Sequence, residues 1–208
     1  MDILIFPFKE FISQKKQNKK PKEFVLKNKI KQVVYQPNEN TNKRRLDILM
    51  KYNNGKEKDF LGYQIFGVID LKIYGVLEGP LNTIYENGFF PFIIEYSPET
   101  DYWFDPPKKF YFLTKIFHPN IDESGLVSVD ILQYNWHPCL SYFSKITYSI
   151  QSLLDDPNPD IFVNEYAAKL YKENIDLYQK TVREWTSKYA NFETVQKELK
   201  KLNFQMEK

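Results

Sequence analysis

Between residues 60 and 114 the sequence carries four β-rich runs, at 60–69, 71–77, 89–96 and 108–114, and their connections are short. A parallel return needs a crossover of a dozen or more residues, so strands joined this closely pair antiparallel with their neighbours in order. Gly79-Pro80 and Asn87-Gly88 punctuate the runs as turn dipeptides. This pattern confines residues 60–114 to a four-stranded antiparallel meander.

The period then changes. Residues 116–140 show neither a twofold nor a 3.6-residue repeat and carry His118-Pro119-Asn120, Gly125, Trp136 and Pro138. A long structured loop of this kind is a common place for function. From Ser141 onward Phe143, Ile146, Ile150, Leu153 and Leu154 recur on one helical stripe, and Asp155-Asp156-Pro157-Asn158-Pro159 stops it, because proline cannot continue a helix. Further helices are expected at 164–172, at 174–189 and over 192–206, where Val195, Leu199 and Leu202 keep register. Ahead of the strands, Leu46, Leu49 and Met50 predict a short amphipathic helix over 44–52, halted by Asn53-Asn54-Gly55. Helix, antiparallel meander, loop and helices make an α+β fold, with helices over one face or the ends of the sheet.

Three parts follow: a basic, polar extension over 1–43, a domain over 44–190, and a helical extension over 191–208. Charge supports the first boundary, since residues 1–51 hold 13 Lys/Arg against 5 Asp/Glu while 52–208 hold 16 against 22. The Lys15–Lys22 block lacks interleaved aromatics for stacking on bases, so a solvated tail or an acidic protein partner fits it better than nucleic acid. Apolar residues at 42% exclude wholesale disorder, and the sequence has no run of about 18 apolar residues that would span a bilayer. One cysteine, Cys139, and two histidines exclude an intrachain disulfide framework and leave too few ligands for a structural zinc site. No cofactor is implied, and the expected setting is cytoplasmic or nuclear.

Several ordered segments go further. Gly79-Pro80, Tyr85–Phe90, Asp101-Tyr-Trp-Phe-Asp-Pro-Pro-Lys108, Thr114–Ile121, Gly125–Leu132, Trp136-His-Pro138, Ser152–Asp160 and Asn164–Ala168 together resemble the core domain of ubiquitin-conjugating enzymes, from about Arg44 to Ala190. The resemblance implies an N-terminal helix, a four-stranded antiparallel sheet and C-terminal helices. It also implies a chemistry in which a cysteine takes the C-terminus of ubiquitin or a ubiquitin-like protein as a thioester and passes it to a lysine.

At the decisive place the sequence departs from that pattern. Gly-x-Ile-Cys-Leu-Asp-x-Leu aligns with Gly125–Leu132, so Ser128 stands at the cysteine position and Asp130 at the following acidic one. A cysteine supplies some thiolate at neutral pH, whereas a serine hydroxyl is a weak nucleophile without an adjacent base. No base is obvious: His118 is expected to bond local backbone, and His137 to lie on a loop surface. Cys139, eleven residues on, falls where the family contacts ligases and is not read as a substitute nucleophile. After Asp160 the family carries Asp or Ser at a gate that helps deprotonate the incoming lysine, and Ile161, which cannot accept a proton, stands there followed by Phe162. Trp103 replaces a proline in the loop carrying Phe104. Asn120 is kept, and its implied role is to support the oxyanion or to hold the loop.

By the same resemblance Phe104 with His137, Pro138 and Cys139 form the two loops that meet RING-type ligases, and Arg44, Arg45 and Lys51 the basic face that meets the activating enzyme. Packing alone for Phe104, and simple solvation for the basic face, stay open beside these roles. Two functions follow. One is a ubiquitin-conjugating-enzyme-like protein without thioester chemistry, serving as a binding or cofactor module for ubiquitin, a ligase or an active conjugating enzyme. The other is an active transferase whose cysteine was exchanged for serine by design, and Ile161 speaks for the first.

Overall fold

The computed structural model describes residues 62–69, 71–97, 105–132, 135–137 and 143–201, and the expected helix over 44–52 lies outside them. Four strands, β1 (Tyr63–Ile69), β2 (Lys72–Glu78), β3 (Phe89–Glu95) and β4 (Lys109–Phe112), form one sheet in the order β1-β2-β3-β4, every pair antiparallel. The expected meander is therefore present. A bulge between Ile65 and Gly67 shifts the β1–β2 register by one residue, a local irregularity that a twofold pattern does not announce.

Among the described residues four α-helices follow: α1 (Phe143–Asp155), α2 (Glu165–Glu173), α3 (Ile175–Tyr189) and α4 (Phe192–Lys201). Helix α1 buries Phe143, Ile146, Ile150 and Leu154, the stripe expected from spacing. Asn164 and Asn174 cap α2 and α3, each side chain accepting a backbone N–H three residues on, which satisfies one of the donors a helix start leaves open. The last expected helix is α4, and residues 202–208 lie outside the described part.

Alternation along the strands sends Ile73 and Leu77 of β2, Phe90, Phe92 and Ile94 of β3, and Phe110 and Phe112 of β4 into one core with α1 and Tyr178 and Val182 of α3. Aromatic rings dominate it. Phe92 stacks on Phe110 with centroids 5.0 Å apart, and Phe112 meets both Phe90 and Phe110 edge-on. The opposite face of β2 is buried too: Tyr74 and Val76 are shielded without joining this core. So is Val195 of α4, the helix that packs on β3.

Beyond β4 the chain is irregular as expected, yet it is pinned to the sheet. Phe112 N–H donates to Gly125 O at 2.8 Å and Val127 N–H to Phe110 O at 3.0 Å, so Gly125–Val127 runs along β4 as a short ladder. Gly125 has φ +85°, and a Cβ there would strike Phe112 O, so only glycine fits. The Asp122 carboxylate closes the turn before it by accepting from Ser124 N, Ser124 Oγ and Leu126 N.

Candidate functional site

Three segments converge beside the end of β4: the His118-Pro119-Asn120 turn, the stretch leading to Ser128, and the loop 156–164 between α1 and α2. Ser128 follows the ladder on β4, and its N–H donates to Asn120 O at 2.9 Å. That bond brings together two of the sequence-named residues. Ser128 is half-buried.

Asn120 is the hub. Its side chain, in a residue only 2% exposed, donates from Nδ2 to Asn158 O at 2.8 Å and to Ile161 O at 2.6 Å, and accepts Asn158 N–H on Oδ1 at 2.9 Å. Both amide protons are thus committed to backbone carbonyls of the 156–164 loop. These bonds tie Asn120 to that loop. Pro119 O adds a second tie, accepting from Val163 N–H at 2.9 Å and Asn164 N–H at 3.0 Å. Asn158 completes the loop internally, its Oδ1 accepting from Asp160 N and Ile161 N.

His118 is fully buried, and its hydrogen bonds settle its state. Asn120 N–H donates to Nδ1 at 2.9 Å, so Nδ1 is the bare nitrogen, and Nε2 carries the proton donated to Leu153 O at 2.9 Å. Burial lowers its pKa from 6.5 to about 4, partly countered by the Leu153 carbonyl, so the ring is neutral at physiological pH. With both nitrogens occupied, His118 is a structural tie between the turn and the end of α1. Among the described residues no hydrogen bond joins a side-chain base to the Ser128 hydroxyl.

Asp130 opens a 3₁₀ turn (Asp130–Leu132) and is exposed; its Oδ2 accepts from Asn135 Nδ2 at 2.7 Å, bracing residues 130–135. His137 is exposed. Phe104, Pro138 and Cys139, with Trp103, and Arg44, Arg45 and Lys51 lie outside the described residues.

The 156–164 loop turns its backbone inward to Asn120 and Pro119, and the side chains of Ile161, Phe162 and Val163 outward. Ile161 is 67% exposed, Phe162 and Val163 about half, and Tyr166 follows on the first turn of α2. Large apolar groups held in water on an anchored loop mark a contact surface more readily than a packing defect. Asn158 was not singled out in the sequence, although an asparagine between two prolines, able to accept bonds two and three residues on, is a turn signal that could have found it.

A sequence model of the ubiquitin-conjugating enzyme family matches residues 49–186. Among solved structures, the E2 domain of a Toxoplasma gondii ubiquitin-conjugating enzyme is similar at 34% sequence identity and a TM-score of 0.61, covering 70% of this chain and 99% of that one.

Proposed function

The chain belongs to the ubiquitin-conjugating enzyme family, and from that premise we propose that it serves a ubiquitin or ubiquitin-like conjugation pathway as a binding or cofactor module, with Ser128 where relatives carry the thioester cysteine. The observation that carries this reading is the absence, among the described residues, of a base bonded to the Ser128 hydroxyl. A serine hydroxyl becomes a competent nucleophile when an adjacent base takes its proton. Of the two imidazoles, His118, ten residues before Ser128, is buried, neutral and saturated with hydrogen bonds, and His137, nine residues after it, is exposed. Ile161, at the gate position, offers a methyl group where a lysine would need a proton acceptor.

The partners this reading names are ubiquitin or a ubiquitin-like protein and an active conjugating enzyme or RING-type ligase. Ile161, Phe162, Val163 and Tyr166, exposed on the loop bonded to Asn120 and on the helix after it, supply an apolar contact area for such a protein. Phe104, His137, Pro138 and Cys139 would meet the ligase, and Arg44, Arg45 and Lys51 the activating enzyme.

The test incubates the protein with activating enzyme, ATP and ubiquitin, and resolves the products with and without thiol or hydroxide. No adduct is expected. An adduct that survives thiol, yields to hydroxide and vanishes in Ser128→Ala would overturn the non-catalytic reading.

A second reading, an active transferase with serine introduced for cysteine, draws on the intact anchorage of Asn120, which holds the loop in order around residue 128. Ser128→Cys separates the two. On the binding-module reading this variant transfers ubiquitin to lysine slowly or not at all, because Ile161 cannot accept the proton. Transfer at the rate of an ordinary conjugating enzyme would establish the second reading.

A further inference from the structure

Two buried tyrosines lie behind the His118-Pro119-Asn120 turn without belonging to either loop of the site. Tyr85, in the turn before β3, donates its hydroxyl to Phe117 O at 2.9 Å. Phe117 O belongs to the peptide unit that carries His118 N, so this bond fixes the plane from which the turn departs. A phenol has one proton, and Tyr85 spends it there; the 3.2 Å contact between the Tyr85 and Tyr178 hydroxyls is therefore donated by Tyr178. Tyr178 stands in the first turn of α3, 93 residues from Tyr85.

We propose that Tyr85 and Tyr178 are positioning residues for the loop that carries Asn120 and Ser128: two hydroxyls in series, Tyr178 to Tyr85 to Phe117 O, through which α3 sets where the turn begins. The inference goes beyond the proposed function and rests on it only for what Ser128 touches, since loop position is measurable with no partner present. The rings themselves are packed independently of the hydroxyls. Tyr178 meets Tyr171 edge-on at 5.1 Å and Phe117 at 5.8 Å, and Tyr85 meets Phe90 edge-on at 6.1 Å. Phenylalanine at either position keeps those contacts and removes only the directional bond. From Phe117 the effect reaches the site in short steps: Asn120 N–H bonds the His118 ring, Ser128 N–H bonds Asn120 O, and Val163 and Asn164 N–H bond Pro119 O. Burial raises the pKa of both hydroxyls, Tyr178 to about 12, so the series stays protonated across the physiological range.

Amide hydrogen exchange on the full chain tests this. The Ser128, Val163 and Asn164 amides report the loop, and the β2–β3 ladder reports global opening. Tyr85→Phe leaves the buried Phe117 carbonyl unpaired and is expected to speed loop exchange about tenfold relative to the ladder. Tyr178→Phe has a smaller effect of the same kind, and none when added to Tyr85→Phe, because Tyr178 acts only through Tyr85. Val182→Ala, a cavity in the same helix, should speed loop and ladder together. A loop-to-ladder ratio unchanged in Tyr85→Phe, or effects of the two tyrosines that simply add, would overturn the proposal. Should Tyr85→Phe not fold, Tyr178→Phe alone decides: loop-specific acceleration upholds the series and its absence overturns it.

Discussion

The sheet core and the site loops lie side by side and are held by different forces. The core is a wall of rings, Phe90, Phe92, Phe110 and Phe112, closed by aliphatic groups of α1, and its stability comes from apolar area removed from water. Residues 156–164 have little of that. His118-Pro119-Asn120 and residues 156–164 are joined by directional bonds from Asn120, the His118 ring and Pro119 O, while Ile161 and its neighbours face solvent. Volume therefore matters in the first region and atom identity in the second. A change that preserves shape should pass unnoticed among the sheet phenylalanines and be costly where a polar atom ties the loop.

Truncation gives the largest effect. Phe112→Ala, at a residue 1% exposed and ringed by Phe90 and Phe110, is expected to cost about 3–5 kcal/mol in urea unfolding. A loss below about 1 kcal/mol would mean the ring wall is not what holds the sheet.

Next comes acid. His118 has its folded pKa lowered to about 4 against 6.5 for the free side chain. The unfolded chain therefore takes up a proton below pH 6.5 that the folded chain refuses, so stability is full above 6.5 and falls as pH drops toward 4, by about 3 kcal/mol in all. Urea midpoints across that range should show the slope in the native chain and a shallower one in His118→Gln. Equal slopes would show that the ring is already open to protonation.

Asn120→Asp probes atom identity alone. The carboxylate nearly matches the amide in shape but presents oxygen to the carbonyls of Asn158 and Ile161, replacing two donated bonds with repulsion. A loss of about 2 kcal/mol is expected, visible first as faster exchange of the Val163 and Asn164 amides. Indifference to this change would break the contrast between the two regions.

Ile161→Asp is the smallest. At 67% exposure it should move stability by no more than about 0.5 kcal/mol, while weakening any partner that lands on the apolar loop. A large destabilisation would show that Ile161 packs after all.

Much of the fold was legible beforehand for a physical reason. Strand alternation, the 3.6-residue stripe of α1 and the proline stop after it are local regularities, and they located all four strands and the helices after residue 141 to within a few residues. The bulge at Ile65 and the shielding of Tyr74 and Val76 on the far face of β2 were not legible, since a single-face pattern does not tell what a later segment will cover. In the site, Ser128, Asn120 and Ile161 could be named from motif order. Their relation could not, nor could Asn158, Tyr85 and Tyr178.

The order of elements, the family and the identity of the atom at position 128 can be read along the chain, because these depend on periodicity, turn chemistry and residue type at fixed offsets. Which polar groups meet is set by the folded chain alone. Asn120 reaches Asn158 across 38 positions, His118 reaches Leu153 across 35, and Tyr85 meets Tyr178 across 93. A hydrogen bond has no period along the chain; it exists where folding has already brought a donor and an acceptor within about 3 Å and taken their competing water away.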